Sequence, residues 1–403
     1  MSKTSSAGNQ GSDIRSDCFV TLELTTKGGI EIDLTSKVEP LYGDAIREQA
    51  AEILAHFEIE HARLKIDDQG ALPFVLAARM EAAIKDVIDS DKEFWPELIE
   101  QNRYHTRPDR FRRSRLYLPG NTPKLMLNAG IHQPDGIILD LEDSVAPAKK
   151  DEARLLVRNA LRQVDFYGAE RMVRVNQGER GLEDLGYIVP HNPNLILLPK
   201  CETADQILQV EEGIRALSNQ HEIPDPIYLM PIIESALGVV NAYQIASASP
   251  NVVALAIGLE DYTADLGAPR TREGRESFYA RSALVNAARA AGIQAIDSVF
   301  SDVSNMEALR AVVSESKSLG FDGMGCIHPR QIKVIHEAFA PSVEEIDKAK
   351  QIVLAFDEAE AQGLGVVSLG SKMIDPPVVK RAQRSIDLAV RSGLLTEDWK
   401  QSQ

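Results

Sequence analysis

The chain has 403 residues, 44% of them hydrophobic and 26% charged, a globular composition with room for one large domain and a small one. The 60 acidic residues against 44 basic ones give a formal net charge of -16, which excludes a general nucleic-acid binder because phosphate binding needs a concentrated positive surface. One local basic cluster stands at Arg107, Arg110, Arg112, Arg113 and Arg115. The three cysteines (Cys18, Cys201, Cys326) match no zinc spacing and are odd in number, as expected in a reducing cytoplasm. The opening MSKTSSAGNQGSD has no apolar signal stretch, so residues 1–15 are expected to be a disordered tail. No apolar run approaches the ~20 residues that span a bilayer, so a soluble protein without membrane partners is expected.

Residues 16–90 read as a small α+β domain. Cys18 to Leu24 and Gly29 to Leu34 alternate as strands, joined by the turn-like Lys27-Gly28-Gly29. Asp44 to Phe57 has Ile46, Ala50, Ile53, Leu54 and Phe57 at helical spacing, His61 to Ile66 reads as a third strand, and Leu72 to Ile88 as a second helix. Residues 91–112 are polar, carry two prolines and read as a linker.

From residue 113 the rhythm changes. Eight short apolar runs, each followed by a helical pattern, begin at RLYLPG (115–120), GIILDLED (136–143), RMVRVN (171–176), LILLPK (195–200), IYLMPIIES (227–235), VVALAIGLED (252–261), IQAIDSVF (293–300) and GMGCIHP (323–329). Thr203 with Gln206, and Ser342 with Glu345, have the spacing of capping boxes at helix starts. Eight strand-plus-helix units predict an α/β fold with a (β/α)8 barrel over residues 113–340, followed by a C-terminal helical extension over 341–403. An open doubly wound sheet would show a Gly-rich first turn, and none follows the first strand.

In such a barrel the active site lies where the strands end. Those ends carry Glu142, Asp143, Arg174, Asn176, Lys200, Glu234, Glu260, Asp261, Asp297 and His328. Glu234 and Asp261 follow neighbouring strands and suit Mg²⁺, a hard cation that takes oxygen ligands and keeps several waters. Helix capping is an equally good reading of both positions. Arg174 can grip a carboxylate bidentately or pair with the acids of the second strand end. Glu142 and Asp143 read as outer partners of arginines or of metal-bound waters. Lys200 is either a charged neighbour of these carboxylates or a Schiff-base lysine, which would make the protein a different class of aldolase.

The segments RSRLYLPGN (113–121), LDLEDSVAPAKKDEAR (139–154), VRVN (173–176), LLPK (197–200), IIESALG (232–238), GLEDY (258–262), GIQAIDSVFSD (292–302) and GLGVVSLGSKMIDPPVV (363–379) resemble, in order, the citrate lyase β-subunit family, which includes citramalyl-, malyl- and citryl-CoA lyases. The resemblance implies a magnesium-dependent carbon–carbon lyase acting on a 3-hydroxyacyl thioester. Glu234 and Asp261 fall on the metal-binding carboxylates, Arg174 on the keto-acid clamp, and Arg113 on an arginine associated with substrate and CoA. Gly258 and Glu260 fall in the substrate-binding GLEDY motif, and Asp375 on an acid/base that some relatives insert from a neighbouring subunit. A homo-oligomer is therefore expected, and citrate lyase-type partner subunits are conceivable. Residues 28–47 and 66–84 further resemble the citrate lyase acyl-carrier (γ) subunit. There the serine bearing the covalent phosphopantetheine-type group stands two residues before the position of Asp17, where this chain has Arg15. Either Ser16 has taken over the attachment or the group is lost, and loss is the favoured reading. Thioester hydrolysis and a non-catalytic scaffold are the competing functions.

Overall fold

Alternation of small and apolar residues builds the N-terminal module. The computed structural model describes residues 3–271, 273–363, 366–369 and 372–400. Strands β1 (Thr4–Gly8), β2 (Cys18–Leu24), β3 (Ile30–Ser36) and β4 (Ala62–Asp68) form one sheet in the order β1-β2-β4-β3, with β3 parallel to β4 and the other pairs antiparallel. Helices α1 (Glu39–His56) and α2 (Pro73–Val87) cover one face. Val20, Leu22, Leu64 and Ile66 alternate inward and pack with Ile53, Leu54, Met80 and Ile84.

Two expectations are corrected here. The turn at Gly28 and Gly29, both with positive φ, does not make a hairpin, because β4 is inserted between β2 and β3. The expected tail contains β1: Ser5 and Ala7 are buried, and Ser5 Oγ donates to the Ala83 carbonyl at 2.5 Å. The sequence TSSAG has too little apolar bulk for its alternation to register.

Each of the eight apolar runs marks one strand of a closed parallel barrel, two of them starting one residue earlier: β5 (Ser114–Pro119), β6 (Gly136–Asp140), β7 (Glu170–Arg174), β8 (Leu195–Leu198), β9 (Tyr228–Ile233), β10 (Ala254–Ile257), β11 (Gln294–Asp297) and β12 (Gly323–Cys326). β12 pairs back to β5 and closes the ring. The runs are continuous because these strands are covered on both faces. Ile138, Met172, Leu195, Leu197, Met230 and Ile296 belong to the packed interior. Both capping boxes are present, with Thr203 N donating to Gln206 Oε1 at 3.0 Å and Ser342 N to Glu345 Oε2 at 2.8 Å.

The stretch 91–112 has no regular element beyond a 3-10 turn at Glu100–Asn102, yet it is held against helix Lys150–Gln163. Arg162 Nε donates to the Pro96 carbonyl at 2.5 Å, and Asn102 Nδ2 to the carbonyls of Leu161 at 3.3 Å and Val164 at 2.7 Å. The chain divides into a compact unit ending at Ile332 and a second one, Lys333–Gln403. In the second, helices Val343–Ala361 and Pro376–Arg391 enclose Ala349, Val353, Ala382, Ile386 and Trp399. Among the described residues, no helix is long and apolar enough to cross a membrane.

Candidate active site

Arg174 closes β7 in register with Asp140, the last residue of β6, and the two side chains form a bidentate pair at 2.6 and 2.7 Å. Arg174 Nη1 also lies 2.9 Å from Glu142 Oε2 and 3.7 Å from Asp143 Oδ2, and the guanidinium sits over the Tyr117 ring at 5.3 Å. Burial opposes ionisation of both partners. The ion pair outweighs it, holding the Asp140 carboxyl below its usual range and the Arg174 guanidinium above its own. Asp140 was not singled out from the sequence: inside LDLED it reads as one more residue of an acidic run, and only strand register reveals it as the partner of Arg174.

Lys200, after β8, adopts a left-handed backbone and links the next acids. Its Nζ lies 3.1 Å from Glu142 Oε1, 3.7 Å from Asp143 Oδ1 and 3.6 Å from Asp261 Oδ1, while its backbone N–H donates to Glu234 Oε2 at 2.9 Å. Burial lowers the affinity of this amine for its proton, but Glu142, Asp143 and Asp261 together raise it above the ordinary lysine value. Gln177 adds a hydrogen bond to Glu142 Oε1 at 2.7 Å.

Glu234 follows β9 and is 6% exposed. Burial, with a further contribution from Asp261, pushes its carboxyl up to about 7 against the opposing Lys200 N–H. Gly258, at the end of β10, makes room for it: a Cβ there would lie 2.3 Å from Glu234 Oε1. Asp261 occupies the first turn of helix Leu259–Leu266 and is partly open to solvent. Its neighbour Glu260 is paired with Arg270.

Other expected residues are placed elsewhere. Arg113 stands just before β5, at the barrel end opposite the mouth, where its N–H groups grip Asp135 at 2.9 and 2.9 Å. The expected substrate contact of Arg113 is thereby corrected, since the strand carries it away from the site. Asn176 bonds Asp184, Asp297 is buried with Arg281 and Ser316, and His328 Nδ1 accepts from Arg330 N at 3.1 Å. Asp375 lies in the C-terminal unit, where Oδ1 accepts from Val378 N at 3.2 Å to cap the last helix. Within the stretch 363–379, Leu364, Gly365, Gly370 and Ser371 lie outside the described residues.

A cavity of about 410 Å³ opens at this end of the barrel, lined by Arg115, Tyr117, Asp140, Arg174, Glu234 and Asp261 among others. Among the described residues no group of three or more His, Cys, Asp or Glu is placed to hold a metal by itself. Two carboxylates, Glu234 and Asp261, line this cavity, and the Lys200 N–H engages Glu234 at Oε2. An all-oxygen pair completed by water and substrate fits the habits of Mg²⁺.

Residues 113–329 match the family model described as HpcH/HpaI aldolase/citrate lyase. The chain belongs to that family. A second model, described as malonate decarboxylase delta subunit, matches residues 2–87, so the N-terminal module is carrier-like. The citrate lyase subunit beta of Haemophilus influenzae is 41% identical over 291 residues, covering 72% of this chain and all 100% of its own length. The mitochondrial citramalyl-CoA lyase of Homo sapiens is 34% identical, covering 69% of this chain and 85% of its own. The crystal structure of CitE from Mycobacterium tuberculosis in complex with magnesium, acetoacetate and coenzyme A superposes with a TM-score of 0.58 at 30% identity, covering 69% of this chain and 98% of that one.

Proposed function

We propose that this HpcH/HpaI-family protein is a magnesium-dependent lyase that cleaves a carbon–carbon bond in a 3-hydroxyacyl thioester of CoA, giving a 2-keto acid and an acyl-CoA such as acetyl-CoA. The observation that carries this is the convergence on one cavity of two oxygen donors, Glu234 and Asp261, with a guanidinium, Arg174, fixed from behind by Asp140. The relatives support it through lyase names and through magnesium and coenzyme A bound in CitE.

Asp140 occupies Nε and Nη2 of Arg174 with one N–H each, and Glu142 lies against Nη1. The second N–H of each terminal nitrogen forms another fork, suited to the carboxylate of the keto-acid half. Held there, the carbinol carbon is oriented for bond scission. The hydroxyl gives its proton to water at the open mouth of the cavity, its C–O bond becomes C=O, and the electron pair of the broken C–C bond passes to the thioester α-carbon as an enolate. One proton delivered to that carbon completes the acyl-CoA. We assign this delivery to Asp375, supplied by a neighbouring subunit of a homo-oligomer. Mg²⁺ held by Glu234 and Asp261 would supply Lewis-acid stabilisation of negative charge on oxygen.

The Schiff-base reading of Lys200 loses support, since three carboxylates keep its amine protonated and a protonated amine is no nucleophile. For the N-terminal module we favour loss of the covalent group. Ser16 is in a left-handed conformation with its N–H tied to the Gln69 carbonyl at 3.0 Å, and the adjoining Asp17 is locked to Arg79. Free CoA esters are then the substrates. The buried, unpaired cysteines fit a cytoplasmic location.

The test is turnover of citryl-, citramalyl- and malyl-CoA by purified protein with Mg²⁺, alongside its intact mass. A keto acid plus acyl-CoA from unmodified protein is expected, with Asp261→Asn folded but at least about 100-fold slower. Release of the free hydroxy acid instead would make the protein a thioester hydrolase. Full activity in Asp261→Asn would remove the metal assignment.

A further inference from the structure

The carrier-like module meets the barrel at residues that lead on to Arg174. The contact begins at Gly8, the last residue of β1. Its φ of +104° suits glycine, and a Cβ there would lie 2.0 Å from the Cys18 carbonyl oxygen. Both of its backbone groups are taken by barrel side chains: Gly8 N donates to Glu152 Oε2 at 2.9 Å, and Gly8 O accepts from Lys149 Nζ at 2.9 Å. Asn121, buried and outside the cavity, is gripped from the module as well. Its Oδ1 accepts from Arg79 Nη1 at 2.6 Å, and its carbonyl accepts from Asn9 Nδ2 at 2.8 Å and Arg79 Nη2 at 3.3 Å.

Asn121 and Lys149 stand at the two ends of the stretch that supports Arg174. Gly120, one residue before Asn121, donates its N–H to the Asp140 carbonyl at 2.8 Å, so close that a Cβ would stand 2.5 Å from that oxygen. Asp140 makes the bidentate grip on Arg174. The chain then runs through Glu142, which faces the same guanidinium, to Lys149 and Lys150. Lys149 reaches the module at Gly8, while Lys150 Nζ turns back and donates to the carbonyls of Leu141 at 3.0 Å and Glu142 at 2.9 Å. The stretch 140–150 is thus anchored on the module at its start through Asn121 and at its end through Lys149. Adhesion alone is served by apolar burial. Buried ions and hydrogen bonds add little net stability, but a satisfied polar network has one geometry.

We infer that the carrier-like module serves the lyase site as a fixed brace: through the positioning residues Asn121 and Lys149 it holds Asp140 and Glu142 where they aim the Arg174 guanidinium at the keto-acid carboxylate. This rests on the lyase reading and gives the module a part in it. Glu234 and Asp261 follow β9 and β10, away from the braced stretch, so the brace acts on the carboxylate-binding half of the site. A misplacement of about 1 Å can cost about 100-fold in rate, so slack here is felt without loss of fold.

The test uses the full chain as wild type, N121A, N121D and K149M. Each is titrated calorimetrically with Mg²⁺ alone, and then with pyruvate and with oxaloacetate at saturating Mg²⁺. N121A leaves Arg79 paired with Asp17 and Glu152. N121A and K149M are expected to bind the keto acid at least about 10-fold more weakly than wild type, with Mg²⁺ affinity and melting temperature unchanged. N121D, isosteric and still an acceptor for Arg79, should restore keto-acid binding. Wild-type keto-acid binding in N121A, or a weakening that N121D shares, would overturn the brace and leave the lyase reading intact. So would a parallel loss of keto-acid binding, Mg²⁺ binding and melting temperature, the mark of a merely structural contact. Binding of neither keto acid to wild type would overturn both.

Discussion

Glu234 has a carboxyl whose ordinary value lies near 4.5 and which burial, helped by Asp261, raises to about 7 in the fold. Between those values this group holds more protons in the fold than in the unfolded chain, so its contribution to metal-free stability falls as pH rises from about 5 to 8. The full loss from this group is about 3 kcal/mol. In Glu234→Gln that slope should be absent. The variant should match wild type near pH 5 and melt at a higher temperature at pH 8, both without metal, while added Mg²⁺ stabilises only wild type. Parallel melting curves for the two proteins across this range would show that Glu234 is not the strained group. At this scale the sequence was partly legible. Glu234, Asp261, Arg174 and Lys200 could be found because strand ends carry the chemistry of a barrel. The pairing of Asp140 with Arg174 could not, since strand register decides what faces what. Arg113 and Arg115 sit two apart in RSRLYLPG, and the position of the strand's first residue determines which one enters the barrel.

Between elements, the decisive contact is that of α2 with helix Lys150–Gln163. Arg79 on α2 binds Asp17 through Nε at 3.0 Å and Nη2 at 2.9 Å, Asn121 Oδ1 at 2.6 Å and Glu152 at 3.2 Å, all buried. Glu81, one half-turn on, binds Arg158 at 2.6 and 3.0 Å. Such pairs are a modest source of net stability when complete, but removing one partner strands the other in a poor solvent. Arg79→Leu should therefore cost about 3–5 kcal/mol in urea unfolding, because Asp17 and Glu152 are both left behind. A loss below about 1 kcal/mol would mean that water reaches the cluster. These contacts were invisible in the sequence. Helical periodicity put Met80, Ala83 and Ile84 on the inner face of α2, but it had no means of showing that Arg79 and Glu81 face a second buried surface.

On the scale of the molecule the barrel was the most legible part, since eight doubly covered strands leave eight apolar runs that little else explains. The N-terminal module was legible in its elements and not in its topology, because strand order is set by long-range pairing rather than by local pattern. The stretch 91–112 was misleading for a related reason. Its polar, proline-bearing composition looks like a tether, while its backbone carbonyls are captured by Arg158, Arg162 and Gln163 and its Asn102 reaches back to the helix. Limited proteolysis of the intact protein should therefore cut this stretch slowly and release no durable fragment of about 90 residues. Rapid accumulation of such a fragment would show that the stretch opens on its own.

The arginine at position 79 has a consequence for how the two modules share their fate. Because its counter-charges come from both sides of the boundary, neither module can open there without exposing the other's buried acid. Fusion here does more than keep a fixed ratio of the two parts: it couples the carrier-like module to the first barrel helices through a shared buried ion cluster, so a change that breaks the cluster on one side strands charge on the other.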